Sequence, residues 1–324
     1  MTKPLLIAIA AGFAAALLYL SIATGSVLSI LLFYLAPLPL FVAGLGWGLP
    51  VATVASLVAT GSALLLGPLP SFAFLISIGG PTIWLVRLAL LSRRDADDEV
   101  YWYPPERLML WAAALAAALV LVALPMIGYG TPAFRENTEA LVSQVFASSA
   151  VEAPDAAGDA PIGTEVAPQT QVAATDLVLR LLPTMAAGTW MIVTLANLWL
   201  AGRIARSSGR LLRPWPDLAA IDLRPAVALA FGAAIVLGFA PGMLGIAGQV
   251  AATVLGLAFL LLGLAVLHGL TRGARARRVL LSGIYLALLV MPWFAIGLIG
   301  LGLAEALVNI RARRGGPPPP TAVA

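Results

Sequence analysis

The amino-acid sequence predicts an all-α, polytopic transmembrane helical bundle of about eight to ten spans, with its N-terminus in the cytoplasm. Three observations carry this. Of the 324 residues, 61% are hydrophobic and only 10% are charged, whereas a soluble domain carries about 25% charged residues. Long apolar runs recur along the chain, most near the roughly 20 residues that a spanning helix needs. Arginines gather in alternate loops, the pattern that orients membrane helices.

The first five runs are Leu5 to Ala23, Val27 to Gly46, Leu49 to Leu66, Phe72 to Leu91 and Leu108 to Ile127. After a polar insert come Leu177 to Ala201, Ala226 to Met243, Ile246 to Leu270 and Val279 to Ile310. The first run, behind Lys3, reads as an uncleaved helix, being long for a signal peptide. The last is too long for one simple span, and Pro292 divides it into either two short passes or a span and an interfacial helix. With Lys3 inside, Arg93, Arg94 and Arg107 fall inside, as do the arginine-rich loops 202–224 and 271–278. The insert, with Arg135 alone, falls outside. Ten passes place the basic tail inside as well; eight or nine remain open.

Four regions follow: residues 1–128, an N-terminal five-span part; 129–176, an extracytoplasmic insert; 177–310, a C-terminal helical part; and 311–324, a disordered basic and proline-rich tail. In the insert, Thr131 and Pro132 suit an N-cap and first helical position. Phe134, Leu141, Val142, Val145 and Phe146 can share one face, so the helix either lies on the membrane or is an ordinary loop helix. The stretch "VEAPDAAGDAPIGTEVAPQTQ" has the composition of a mobile linker.

Two spans are interrupted. Gly79, Gly80 and Pro81 sit in the middle of the fourth run; Pro37 and Pro39 sit in the second, followed by Gly44, Gly46 and Gly48. Proline lacks an N–H and its ring clashes with a carbonyl one turn back. Broken backbone at membrane depth is tolerated only inside protein or beside water, so both breaks should face inward. Each is either a packing kink or part of a binding site. Tyr34, Pro37, Pro39, Gly79, Gly80, Pro81, Trp84, Arg87 and Asn197 are the candidate pocket residues. Arg87, near the span's end, either snorkels to the headgroups or faces a cavity, with Trp84 able to stack on it. Asn197 either bonds between helices or lines the pocket.

Ala8, Gly12 and Ala16 form a small-residue stripe on the first helix and permit close approach of a partner helix, from this chain or another protein. Glu305 reads as an interfacial carboxylate paired with arginine, and His268 as an interfacial side chain. One histidine and no cysteine leave no basis for a zinc site. No phosphate-binding loop motif is present, and no serine has a base in view. No catalytic residue, metal or cofactor is expected, and the basic balance points to anionic lipid rather than nucleic acid.

The runs "LLFYLAPLPLFVAGLGWG", "GGPTIWLVR", "YWYPPERL" and "GIYLALLVMPWFAIGLIGLGLAEALVNIRAR" resemble the YybS-like bacterial membrane proteins, a domain-of-unknown-function family. That family is distantly similar to the S components of energy-coupling-factor transporters. The resemblance implies a bundle in the bacterial inner membrane that cradles a small molecule and docks on a membrane partner through small residues of its first helix. The extra spans and the insert depart from the six-helix S component. The expected function is non-catalytic and transport-related, with a cell-envelope scaffold as the alternative and a membrane enzyme as a remote third.

Overall fold

The computed structural model describes residues 2–151 and 168–313. Among these, helix dominates. In chain order the helices are α1 (Thr2–Leu20), α2 (Val27–Tyr34), α3 (Pro37–Trp47), α4 (Leu49–Ala63), α5 (Pro68–Phe74) and α6 (Gly80–Ala89), with a π-helical turn, Leu75–Gly79, joining α5 to α6. A small antiparallel hairpin follows, β1 (Ser92–Arg94) with β2 (Val100–Trp102), in which Arg93 faces Tyr101. Then come α7 (Pro105–Met126), α8 (Pro132–Val151), α9 (Pro168–Ser207), α10 (Pro225–Leu237), α11 (Gly242–Leu270), α12 (Arg277–Val290), α13 (Phe294–Val308) and the short α14 (Ile310–Arg313).

Among the described residues, seven segments are long and apolar enough to cross a membrane: Thr2–Thr24, Val27–Trp47, Leu49–Leu66, Pro68–Ala89, Pro105–Met126, Gln169–Ser207 and Gly242–Leu270. Two further apolar helices, α10 and α13, have 13 and 15 residues. At 1.5 Å per residue they reach about 20–23 Å, short of the ~30 Å hydrocarbon core. Against the eight to ten spans expected, the described residues hold seven segments of spanning length and two shorter apolar helices, α10 and α13. Pro292 does divide the last run, in the turn between α12 and α13.

Close helix approach organises both halves. Gly12 packs α1 onto α4 so tightly that a side chain there would fall 2.6 Å from the Ala55 carbonyl oxygen. Ala8 and Ala16, each 1% exposed, complete that face. The expectation of a stripe docking on another protein is thus corrected: α4 of this chain occupies it, and no small-residue face remains there for a partner. In the C-terminal half, Gly263 lies against Leu298 of α13, and Gly302 of α13 against Phe259 and Gly263. Gly256 meets Ile299, and Gly269 meets Arg311. About this crossing the outer contacts, Gly256 with Ile299 and Gly269 with Arg311, advance together, so α13 runs parallel to the second half of α11. The first half of α11 is covered by α10, through Gly248 against Gly238.

The arginine-rich loops meet at one end of the bundle. Arg213 donates to the carbonyls of Ala89 (2.9 Å) and Tyr103 (3.4 Å). Arg272 pairs with Asp217 at 2.6 Å. Arg311 pairs with the buried Glu305 at 2.7 Å and donates to the carbonyls of Ala219 and Ile221, so the start of the tail joins the same end. Five tryptophans carry an arginine over their rings there: Trp84 with Arg87, Trp199 with Arg203, Trp215 with Arg206, Trp47 with Arg210 and Trp102 with Arg213. Amphipathic rings and cations together mark a headgroup level.

The insert departs from expectation. Thr131 does cap α8, its hydroxyl accepting from the Phe134 N–H. But α8 folds back on the first turns of α9, through Arg135 to Asp176 (2.7 Å) and the Tyr129 hydroxyl to the Leu179 carbonyl (2.6 Å). Residues 168–171, expected in a linker, already belong to α9, and the expected 176/177 boundary falls inside that helix. The rest of the linker reading, and the tail beyond residue 313, lie outside the described residues. At 40 residues, α9 is about 60 Å long, so about half of it extends beyond a ~30 Å core.

Candidate functional site

Both interrupted spans open onto one cavity of about 590 Å³. One wall is the α2–α3 break, with Phe33, Tyr34, Pro37 and Phe41; another is the α5–α6 break, with Ser77, Ile78, Pro81 and Thr82; α9 closes the third side from Leu177 to Thr194. An aromatic cluster backs it: Tyr19 packs edge-on against Phe74 with centroids 5.0 Å apart, and Phe33 lies 5.5 Å from Tyr19.

The breaks follow from backbone accounting. Pro81 has no N–H for the carbonyl four residues earlier, on Ser77. The chain shifts into a π turn, in which the Gly80 N–H donates five residues back, to Leu75. The orphaned Ser77 carbonyl accepts instead from the indole N–H of Trp190 on α9, at 2.9 Å. At the other break, Pro37 and Pro39 each remove a donor. The Leu38 N–H between them moves to Leu35, which releases the Tyr34 carbonyl. That carbonyl accepts from the Asn197 side-chain amide on α9, at 2.8 Å. Trp190 and Asn197 are seven residues apart, two turns, and so share one face of α9. One helix therefore supplies a donor to each carbonyl that the prolines set free.

Of the nine candidate pocket residues, the structure brings Tyr34, Pro37 and Pro81 to the cavity wall. Pro39, Gly79, Gly80, Trp84, Arg87 and Asn197 do not line it. Pro39 and Gly79 shape the breaks from behind. A side chain at Gly80 would fall 3.1 Å from the Leu75 carbonyl oxygen that its own N–H engages. Arg87 is exposed, with its guanidinium 5.5 Å from the Trp84 ring centre; the cavity-facing alternative is corrected, because Arg87 sits six residues beyond Pro81 on the outer side of α6 and does not line the cavity. Asn197 adopts the helix-to-helix bond. Its Nδ2 also reaches the Val193 carbonyl, and its Oδ1, buried, has no partner among the described residues.

The polar groups of the cavity are hydroxyls. Thr53, Thr60, Thr175, Thr253 and Thr271 each donate back to their own helix. Thr82, Thr189 and Thr194 make no such bond within the described residues, and all three line the cavity. The Tyr34 hydroxyl is likewise unengaged. Among the described residues, no charged side chain lines the wall. The arrangement thus offers an apolar chamber with four free hydroxyls, suited to an uncharged guest with a few hydrogen-bonding groups. Sequence reasoning missed Trp190 and the three threonines. Counting the carbonyls that each proline orphans, and seeking donors two turns apart on another helix, is the signal that points to Trp190.

Among the described residues, no group of acidic, histidine or cysteine side chains is arranged to hold a metal ion. Searches of curated proteins and of solved structures give no match. A family model described as "Predicted membrane protein (DUF2232)" matches residues 13–305, which span both breaks, the cavity and the packed α11–α13 pair. The chain belongs to this family of predicted integral membrane proteins.

Proposed function

We propose that the protein is a non-catalytic, multi-pass component of the bacterial cytoplasmic membrane that binds a small, uncharged molecule between its two broken helices, in a transport-related role like that of an S component. The observation that supports this is the convergence of both breaks on a single chamber with unengaged hydroxyls. A kink that serves packing alone needs neither a chamber nor free donors. Hydroxyls of Thr82, Thr189, Thr194 and Tyr34 would orient the guest, and Phe33, Phe41 and Met185 would cover its apolar part. The likeness to YybS-like proteins belongs to the same reading. Any energising partner would dock elsewhere than the Ala8, Gly12 and Ala16 stripe.

The test is thermal stabilisation of the detergent-purified chain across a library of neutral, vitamin-sized compounds. A ligand present at 100 times its Kd adds about 2.7 kcal/mol. T82V/T194V should fold normally and lose the stabilisation. No stabilising compound, together with no change in cellular phenotype for T82V/T194V, rejects the pocket. A scaffold role is favoured instead by the α8–α9 hairpin, which projects beyond the spanning part; under that reading removal of α8 abolishes function while cavity substitutions do not.

A further inference from the structure

A second cavity, of about 1140 Å³, lies at the arginine-rich end, between α9, α11, α12 and the loop 208–224. It shares no lining residue with the first, and nothing proposed for that chamber bears on it. Its two ends differ in chemistry. The inner part is walled by Ile192, Leu195, Leu257, Leu260, Leu261 and Leu264. The mouth holds four arginines, Arg203, Arg213, Arg272 and Arg277, against one acid, Asp217.

The pairing of those charges is uneven. Asp217 is taken by Arg272 at 2.6 Å, and Arg213 is taken by two backbone carbonyls. Arg203 and Arg277 have no carboxylate partner among the described residues. Arg203 instead stands over the Trp199 ring, 5.5 Å from its centre. His268 bonds the Leu264 carbonyl through Nδ1 at 2.9 Å, which leaves its other ring nitrogen for the mouth. From Met191 to Arg203 the α9 wall runs 12 residues, about 18 Å, from an apolar interior to a cationic rim. The cavity also opens sideways. Ile192 and Trp199, both on its wall, are 54% and 46% exposed. The α12 helix that borders it has no buried residue at all, so the gap beside α9 faces the acyl chains of the bilayer.

From this juxtaposition of an apolar, laterally open chamber with unpaired Arg203 and Arg277 at headgroup level, we infer a site for one anionic membrane lipid. Its phosphate sits at the arginine rim and an acyl chain enters between α9 and α12. A soluble anion would gain nothing from the leucine-lined interior. A zwitterionic lipid would bring a cation to a rim that already holds unpaired positive charge.

Native mass spectrometry of the full chain in detergent tests this, with phosphatidylglycerol, phosphatidylcholine and glycerol phosphate as probes. One phosphatidylglycerol per chain is expected, held about tenfold or more tightly than phosphatidylcholine, and undisplaced by millimolar glycerol phosphate. R203Q/R277Q should reduce phosphatidylglycerol to the phosphatidylcholine level. R93Q, which removes an exposed arginine outside the cavity, should leave it unchanged. Leu264→Trp, which fills the chamber and keeps both arginines, should also expel the lipid, and it serves if R203Q/R277Q fails to fold. Equal retention of the two lipids, an equal loss from R93Q, unaltered binding in Leu264→Trp, or displacement by glycerol phosphate each overturns the proposal.

Discussion

Replacing Trp190 by Phe isolates the bond on which one of the two breaks depends. The substitution keeps an aromatic body in place and removes the indole N–H that reaches the Ser77 carbonyl at 2.9 Å. A buried polar group stripped of its partner costs about 1–3 kcal/mol, while hydrogen bonds between membrane helices measure about 0.6 kcal/mol on average and about 1.7 at most. The Ser77 carbonyl is only partly buried and borders the chamber, so water can reach it, and the expected loss is about 1 kcal/mol. The smaller phenyl ring also loses packing, which a single variant cannot separate. Pro81→Ala does separate it, because an alanine in place of that proline supplies an N–H four residues beyond Ser77. In the P81A background the W190F loss should therefore shrink, giving a coupling of about 1 kcal/mol in a double-mutant cycle. The assay is reversible unfolding in mixed micelles. A coupling below about 0.3 kcal/mol would mean that Trp190 is there for its volume, and that the prolines leave no unmet carbonyl for α9 to satisfy.

Further expectations concern separate contacts. Asn197→Leu should cost about 0.6–1.7 kcal/mol in the same assay, from loss of the bond to Tyr34, with no effect on the α5–α6 break. Gly302→Ala puts a methyl 2.1 Å from the Phe259 carbonyl oxygen, whereas Gly300→Ala meets nothing within 4 Å; overpacking of about 1–3 kcal/mol should follow for the first, and a near-neutral result for the second. Arg311→Met leaves Glu305, 2% exposed, without its cation and should cost about 3–5 kcal/mol, measured against Glu305→Gln/Arg311→Met, which should recover part of it. Arg272 beside Asp217 holds that carboxyl below its ordinary value. Its contribution is therefore full above the unfolded value near 4 and is lost as pH falls through the lower folded value. The pair is half exposed and of surface size, about 0–1 kcal/mol, so an acid titration of stability should differ only slightly between wild type and Asp217→Asn, and the difference should vanish in high salt.

Much of this architecture was legible, and the reasons are physical. Apolar length and arginine placement mark spans because hydrocarbon excludes charge. Prolines mark breaks because they remove a donor that lipid cannot replace. Depth is less legible: α10 and α13 are as apolar as their neighbours, and only the contacts of α11 reveal that they cover it in two halves. The start of α9 was hidden because Pro168 to Gln171 have a linker's composition, and the contacts that pair the first turns of α9 with α8 come from Arg135, 41 positions away from its partner Asp176. Trp190 was hidden for a related reason. Its bond spans 113 positions, and no local pattern encodes it. Trp84 and Arg87 were grouped with the breaks by adjacency in sequence, but they stand three and six residues beyond Pro81, further along α6 than the cavity wall reaches.

The pair of side chains on α9 has a mechanical consequence. Trp190 and Asn197 are fixed to one stiff rod, and each grips a different hinge. A slide or roll of that rod lets go of both hinges together, and a load that spreads one hinge pulls on the other through it. The two bent segments are therefore yoked, and any opening of the chamber must move them as a single latch.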